Sequence, residues 1–261
     1  MRGPGVNEQG IGRVVAVGAS NLTRGFHAVV ATSRGLWGPD VEVVAALGHG
    51  RIYGGPSVYF GRRIPGILES GLWRALDERP PAGTRALVTD VGNDIMCGYP
   101  TARILEWVDE CVARFQQHAR DVVVTGLPHA ALAGLPAARY RLFRALFFPR
   151  CRYTLAETLR RGAEVQEGLQ AIAGARGATF VAMKREWYGF DPIHIRPPMW
   201  ASAWQEILCG GGSAPRPPRS PLGEALRLYA LQPERVAYFG RERLSPQRGV
   251  TLRGGGRVWL Y

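Results

Sequence analysis

The sequence predicts an α/β protein in which a five-stranded parallel sheet lies between layers of helices. Three observations carry that expectation. Short Val- and Ala-rich runs alternate along the chain with longer segments of helical periodicity. The runs are apolar almost throughout, as strands buried on both faces are, instead of alternating like strands with one wet face. Ser20, the 48–55 loop, Asn93 and the 191–194 loop all follow such runs or lie beyond the last of them, so they converge on the carboxyl edge of the sheet, where α/β folds bind ligands.

Residues 13–17 read as the first strand, followed by a helix over 26–34. Residues 41–47, apolar but for Glu42, form the second strand. Helix-like sequence at 67–76 leads into the turn Pro80-Pro81-Ala82-Gly83, and 85–91 is the third strand. Residues 100–119 carry the clearest helical pattern, with Ile104, Leu105, Val108, Cys111, Val112 and Phe115 on one face. Pro100 suits its first turn, where a missing N–H costs little. Residues 121–125 and 178–182 are the fourth and fifth strands, with helical sequence from 137 to 173 between them, and 199–208 is a closing helix. After Cys209 the composition changes: 210–219 is a Gly/Pro-rich linker. A short helix over 221–231 and a small β meander from 236–239, 250–252 and 258–261 follow. The expected organisation is one large domain over 1–209 with a linker and small C-terminal extension over 210–261.

A chain of 261 residues, 46% of them apolar, suits one large core. No apolar run approaches the roughly 20 residues needed to span a bilayer. Residues 1–8 hold no apolar segment of the signal-peptide kind, so a cytoplasmic location is expected. The formal charge is +12, and every cation is an arginine except Lys184. These arginines are scattered, with local excess only over 139–161 and from 216 onward, which reads as a solvated basic face; no nucleic-acid partner is expected. Contact with acidic substrates or a membrane surface stays open. Cys97, Cys111, Cys151 and Cys209 form no C-x-x-C pair and are expected reduced and packed. There is no H-E-x-x-H and no zinc spacing, so neither metal nor cofactor is expected.

The chemistry-bearing residues lie far apart in the chain. Ser20 stands in Val17-Gly18-Ala19-Ser20-Asn21, after the first strand. Asp191 and His194 stand in Phe190-Asp191-Pro192-Ile193-His194, beyond the last. Serine becomes a nucleophile when an imidazole takes its proton, and a carboxylate three residues before that imidazole can hold it in the right tautomer. Asn93, in Val91-Gly92-Asn93-Asp94, adds a neutral N–H donor after the third strand.

With these blocks the chain resembles the GDSL-type esterases of the SGNH hydrolase superfamily, over about residues 11–208. The resemblance implies a flavodoxin-like three-layer α/β/α fold and cleavage of a small-molecule ester or thioester through an acyl-enzyme. It gives Ser20 the nucleophile role, His194 the base and Asp191 the orienter. It also implies an oxyanion hole from the Ser20 N–H, the Gly50 N–H and the Asn93 amide, with Gly48 as the alternative glycine. Acyl transfer to an alcohol other than water uses the same residues. Three blocks depart from the family pattern: Ala19 and Asn21 replace the Asp and Leu of the first block, Val91 stands where the third block has glycine, and Pro192 follows Asp191.

Simpler roles exist for each residue. Ser20 could cap the following helix, Asn93 could be a turn residue and Asp94 a cap. His49 is a loop histidine beside the oxyanion glycine, and His27, His118 and His129 have no functional context. A dinucleotide fingerprint fails because Tyr53 stands at the third glycine, and the G-x-S-x-G of α/β-hydrolases fails at Leu22. The basic and aromatic stretch 139–148 has two readings. It is a lid whose aromatics line an acyl pocket or rest on a membrane, or Leu142, Phe143, Leu146 and Phe147 pack as the inner face of a helix, which its spacing favours. The competing functional class is a non-catalytic module of the same fold whose basic surface binds an acidic partner or nucleic acid.

Overall fold

Strands that are apolar on both faces need cover on both, and the helices supply it. The computed structural model describes residues 10–59, 61–212 and 221–261; the stretch 1–8 and residues 213–219 of the expected linker lie outside them. The chain runs β1 (Ile11–Val17), α1 (Ser20–Trp37), β2 (Glu42–Ala46), β3 (Ser57–Tyr59), β4 (Arg62–Ile64), α2 (Leu72–Asp77), β5 (Gly83–Val88) and α3 (Gly92–Met96). It continues through α4 (Thr101–Gln116), β6 (Asp121–Thr125), α5 (His129–Ala133), α6 (Ala137–Phe147), α7 (Leu155–Ala175), β7 (Thr179–Val181) and α8 (Trp200–Leu208). The C-terminal part holds α9 (Leu222–Tyr229), β8 (Arg235–Tyr238), β9 (Arg241–Leu244), β10 (Val250–Thr251) and β11 (Arg257–Leu260).

The five expected strands all form and lie side by side in the order β2-β1-β5-β6-β7, every pair parallel. Successive side chains of β1 point to opposite faces, so two cores result. Val14 and Ala16 pack with Leu22, Phe26 and Val29 of α1 and Trp204 and Ile207 of α8. Val15 and Val17 pack with Trp73 of α2, Val108 and Phe115 of α4 and Leu169 of α7. Gly25 lets α1 and α8 approach closely, since a Cβ there would lie 2.1 Å from Trp204 Nε1. Truncating fully buried Phe115 to alanine is expected to cost about 3–5 kcal/mol.

The C-terminal extension is β-rich as expected but makes no meander of its own. β11 adds to the main sheet parallel to β2, and β10 closes that edge antiparallel, giving seven strands. β8 and β9 instead join β3 and β4 in a four-stranded antiparallel sheet. Helix boundaries also differ from expectation. α1 begins at Ser20, not six residues later, and α2 is limited to Leu72–Asp77. The helical stretch from 137 divides because Pro149 stops α6, and a capping box restarts the chain as α7. Thr154 Oγ1 accepts from Glu157 N at 3.2 Å, while Thr154 N donates to Glu157 Oε2 at 2.7 Å. Among the described residues no helix is long and apolar enough to cross a membrane.

Candidate active site

The first turn of α1 sets the site. Its N-cap is Ala19, whose methyl cannot accept a hydrogen bond, and the Ser20 hydroxyl is directed elsewhere. Asp90, just past the neighbouring strand β5, caps the helix instead. Its Oδ2 accepts from Ala19 N at 2.8 Å and Leu22 N at 3.1 Å. Asp90 follows β5 in a left-handed conformation, φ +63°, that carries its carboxylate under the helix. Ser20 is thereby left free for another partner.

That partner is His194. Ser20 Oγ lies 2.9 Å from His194 Nε2, and His194 Nδ1 lies 2.6 Å from Asp191 Oδ2. A carboxylate at Nδ1 fixes the tautomer with its proton there, so Nε2 accepts the Ser20 hydroxyl proton. Asp191 Oδ1 also accepts from the backbone N–H of Ile193 at 3.1 Å and His194 at 3.2 Å, which folds 191–194 into a tight turn. Burial would raise the Asp191 carboxyl, but the hydrogen bond and charge of His194, the Ile193 N–H and Arg24 together hold it below its ordinary value.

Asn21 joins the two distant segments. Its Nδ2 donates to Asp90 Oδ1 and to Ile193 O, each at 2.9 Å, and its Oδ1 accepts from Ile195 N at 2.7 Å. The departure at Asn21 from the family pattern therefore has a structural role here. Asp90 and Asn21 are the residues that sequence reasoning missed. An acid at the end of the third strand was the available signal, but nothing in one sequence pairs it with residue 19.

Asn93 sits in the first turn of α3, and its Nδ2 donates to Arg51 O at 3.1 Å. Gly50 has φ +70° and lines one small cleft together with Ser20, Asn93 and His194. A side chain at Gly50 would press on the Tyr59 ring at 3.1 Å and strain the backbone. Gly48, the alternative, faces Ile64, whose Cδ1 stands 2.4 Å from where a Cβ would be. Arg51 anchors this loop. Its buried guanidinium donates to Leu47 O at 3.2 Å, Pro65 O at 3.1 Å and Tyr261 O at 2.5 Å. Asp94 is no helix cap; its Oδ1 accepts from Tyr53 N at 2.9 Å, and burial pushes its carboxyl up to about 8. His49, in the same cleft, is driven down to about 4 by burial and by the nearby Arg24, His194 and Arg62, so it stays neutral.

A second, apolar cavity of about 100 Å³ also has Ser20 in its wall. Ile95, Leu127, Leu135, Phe143, Phe148 and Met183 are among its walls, and His129 reaches it as well. His194 lines the small cleft but not this cavity. The helix α6 roofs it, and here the packed-face expectation fails. Leu142 and Leu146 point to solvent, Phe143 and Phe147 are half-buried, and Tyr140 is the one fully buried residue of α6. The inward aromatics meet the His194 loop instead: Phe147 packs edge-on against His194 at 5.1 Å, and Phe143 against Phe190 at 5.6 Å. All four cysteines are free; Cys111 and Cys151 are packed as expected, while Cys97 is exposed. Among the described residues no three His, Cys, Asp or Glu side chains group as metal ligands.

No family model matches the sequence, and no curated protein matches it. Solved structures share its architecture. One, 12% identical, superposes with a TM-score of 0.51 and covers 76% of this chain and 96% of its own. The shared fold is a central parallel sheet set between helices. The native M. smegmatis aryl esterase is 14% identical, with a TM-score of 0.49 over 84% of this chain and all of its own. The psychrotrophic esterase EstA from Pseudoalteromonas sp., solved inhibited by monoethylphosphonate, is 11% identical, with a TM-score of 0.48 over 76% of this chain and 95% of its own. At such identities the likeness concerns the fold alone.

Proposed function

We propose that the chain is a serine hydrolase that cleaves an ester or thioester through an acyl-enzyme. The observation that carries this reading is the unbroken hydrogen-bonded line from Ser20 through His194 to Asp191, bordered by an apolar cavity and a polar cleft. Ser20 Oγ attacks the carbonyl carbon while His194 Nε2 takes its proton. The oxyanion that forms meets the N–H groups of Ser20 and Gly50 and the amide of Asn93. Each such donor is worth on the order of 10²–10³ in turnover. The N–H of Ser20, in the first turn of α1, has no acceptor within its own helix and gains from the helix dipole.

His194 then protonates the departing alcohol or thiol, so the leaving group lies on its side, in the cleft with Arg24 and His49. The acyl chain takes the apolar cavity. Water, activated by the same imidazole, releases the acid. A p-nitrophenyl ester series of rising acyl length tests the reading. Turnover should be abolished by Ser20→Ala and should rise with acyl length until the cavity is full. No hydrolysis of any member, or hydrolysis that survives Ser20→Ala, contradicts it.

A further inference from the structure

The outer face of the roof over the acyl cavity has an unusual composition. Every exposed residue from 130 to 146 is apolar or glycine, with the single exception of Arg141. Leu142 is 56% exposed, Leu146 is 54% exposed, and on the adjoining loop Phe190 is 71% exposed. Leu142 and Leu146 are one turn apart on α6, so they form a row along the helix. Arg139 holds Phe190 beside that row, donating to the carbonyls of Gly189 and Phe190 and lying over the Phe190 ring.

The charge around this face is equally one-sided. Between Asp121 and Glu157 there is no acidic residue, and Arg139, Arg141, Arg144, Arg150 and Arg152 all fall there. Elsewhere the surface helices pair their arginines with acids: Arg103 with Glu106, Arg114 with Glu110, Arg160 with Glu164, Arg176 with Asp109. Among the described residues no arginine of the roof has such a partner. Arg139 and Arg144 bond backbone carbonyls, and Arg141, Arg150 and Arg152 are exposed.

We propose that this face, α6 with its flanking arginines and Phe190, docks the protein on an anionic lipid surface. Aliphatic and aromatic side chains would enter the boundary between headgroups and acyl chains, and the arginines would meet the headgroup charge. A nucleic acid fits less well, because its phosphates call for contiguous cations and the centre of this face is aliphatic. Docking here brings the roof of the acyl cavity to the bilayer, the position from which an acyl chain held in a membrane could enter. That last step rests on the proposed esterase reading, whereas docking itself does not.

The test is cosedimentation with vesicles of phosphatidylcholine alone and of equal parts phosphatidylcholine and phosphatidylglycerol. The full chain should pellet with the mixed vesicles and not with the neutral ones. Raising the salt from about 0.1 M to about 1 M, which shortens the screening length from about 10 Å to about 3 Å, should weaken binding. Replacing both Leu142 and Leu146 with Asp should weaken vesicle affinity at least about tenfold, with the thermal melt unchanged. If that variant unfolds, the pair Arg150→Glu and Arg152→Glu reads the same face through its charge. Absence of binding to the mixed vesicles, or binding indifferent to both pairs of substitutions, overturns the proposal. So does retention on a single-stranded RNA without vesicle binding. Failure of the wild type to hydrolyse soluble esters counts against the esterase reading and leaves the vesicle result to be judged separately.

Discussion

The two walls that meet at Ser20 are held in different ways. On one side Asp90, Asn21 and Asp191 tie three loops together through eight hydrogen bonds from or to their side chains, all 3.2 Å or shorter. On the other side α6 buries only Tyr140, and its contact with the 189–194 loop runs mainly through aromatic rings and Arg139. A dense, buried polar network fixes geometry, whereas ring contacts tolerate displacement. In the proposed hydrolase, chemistry belongs to the first wall and choice of substrate to the second.

Substitutions in the two walls should therefore differ in kind. The largest effect is expected from His194→Ala, which should lower kcat more than about 10⁴-fold on every ester, read by steady-state kinetics. Asn93→Ala should follow, with a loss of about 10²–10³ in kcat that is independent of acyl length. Asn21→Ala removes partners from Asp90, Ile193 and Ile195 at once. It is expected to cost about 2–4 kcal/mol in urea denaturation, and turnover should fall as the His194 loop loosens. In the roof, Phe143→Ala should leave short esters nearly untouched and shift acyl-length preference several-fold. If instead it lowers kcat uniformly, the division between the walls fails.

A pH effect sharpens the comparison from beneath the loop that carries Gly50 and Tyr53. Burial holds the Asp94 carboxyl at about 8, against about 4 for an exposed aspartate. The native state thus binds this proton more readily than the unfolded state. Its stabilising contribution is complete below about pH 4 and is lost as the pH climbs toward 8. Asp94→Asn mimics the protonated form. Urea midpoints at pH 5 and pH 8 should differ less in that variant than in the wild type. An equal difference would mean that Asp94 titrates as an ordinary carboxylate.

Much of this arrangement is legible from the sequence, and the reason is local. The five central strands declare themselves because burial on both faces leaves continuous apolar runs such as 41–47. Ser20, Asp191 and His194 stand together because strand ends in a parallel sheet share one edge. What escaped was short or non-local. β3 and β4 are three residues each, and β9, Arg-Glu-Arg-Leu, is exposed throughout and shows no alternation. The placing of β11 beside β2 depends on pairings more than 200 residues apart, for which one sequence holds no sign. Helical spacing in α6 gives a stripe but not its direction, and here the leucines face out while the phenylalanines face in. The cap from Asp90 is supplied by another loop, which leaves no spacing rule to read.

The central claim is that Ser20 is a nucleophile activated by His194. Treatment with a fluorophosphonate probe followed by peptide mass spectrometry tests it most directly. One adduct is predicted, on the peptide carrying Ser20, absent in Ser20→Ala and strongly slowed in His194→Ala. Labelling on a different serine, or labelling of Ser20 that proceeds at full rate without His194, would contradict the account.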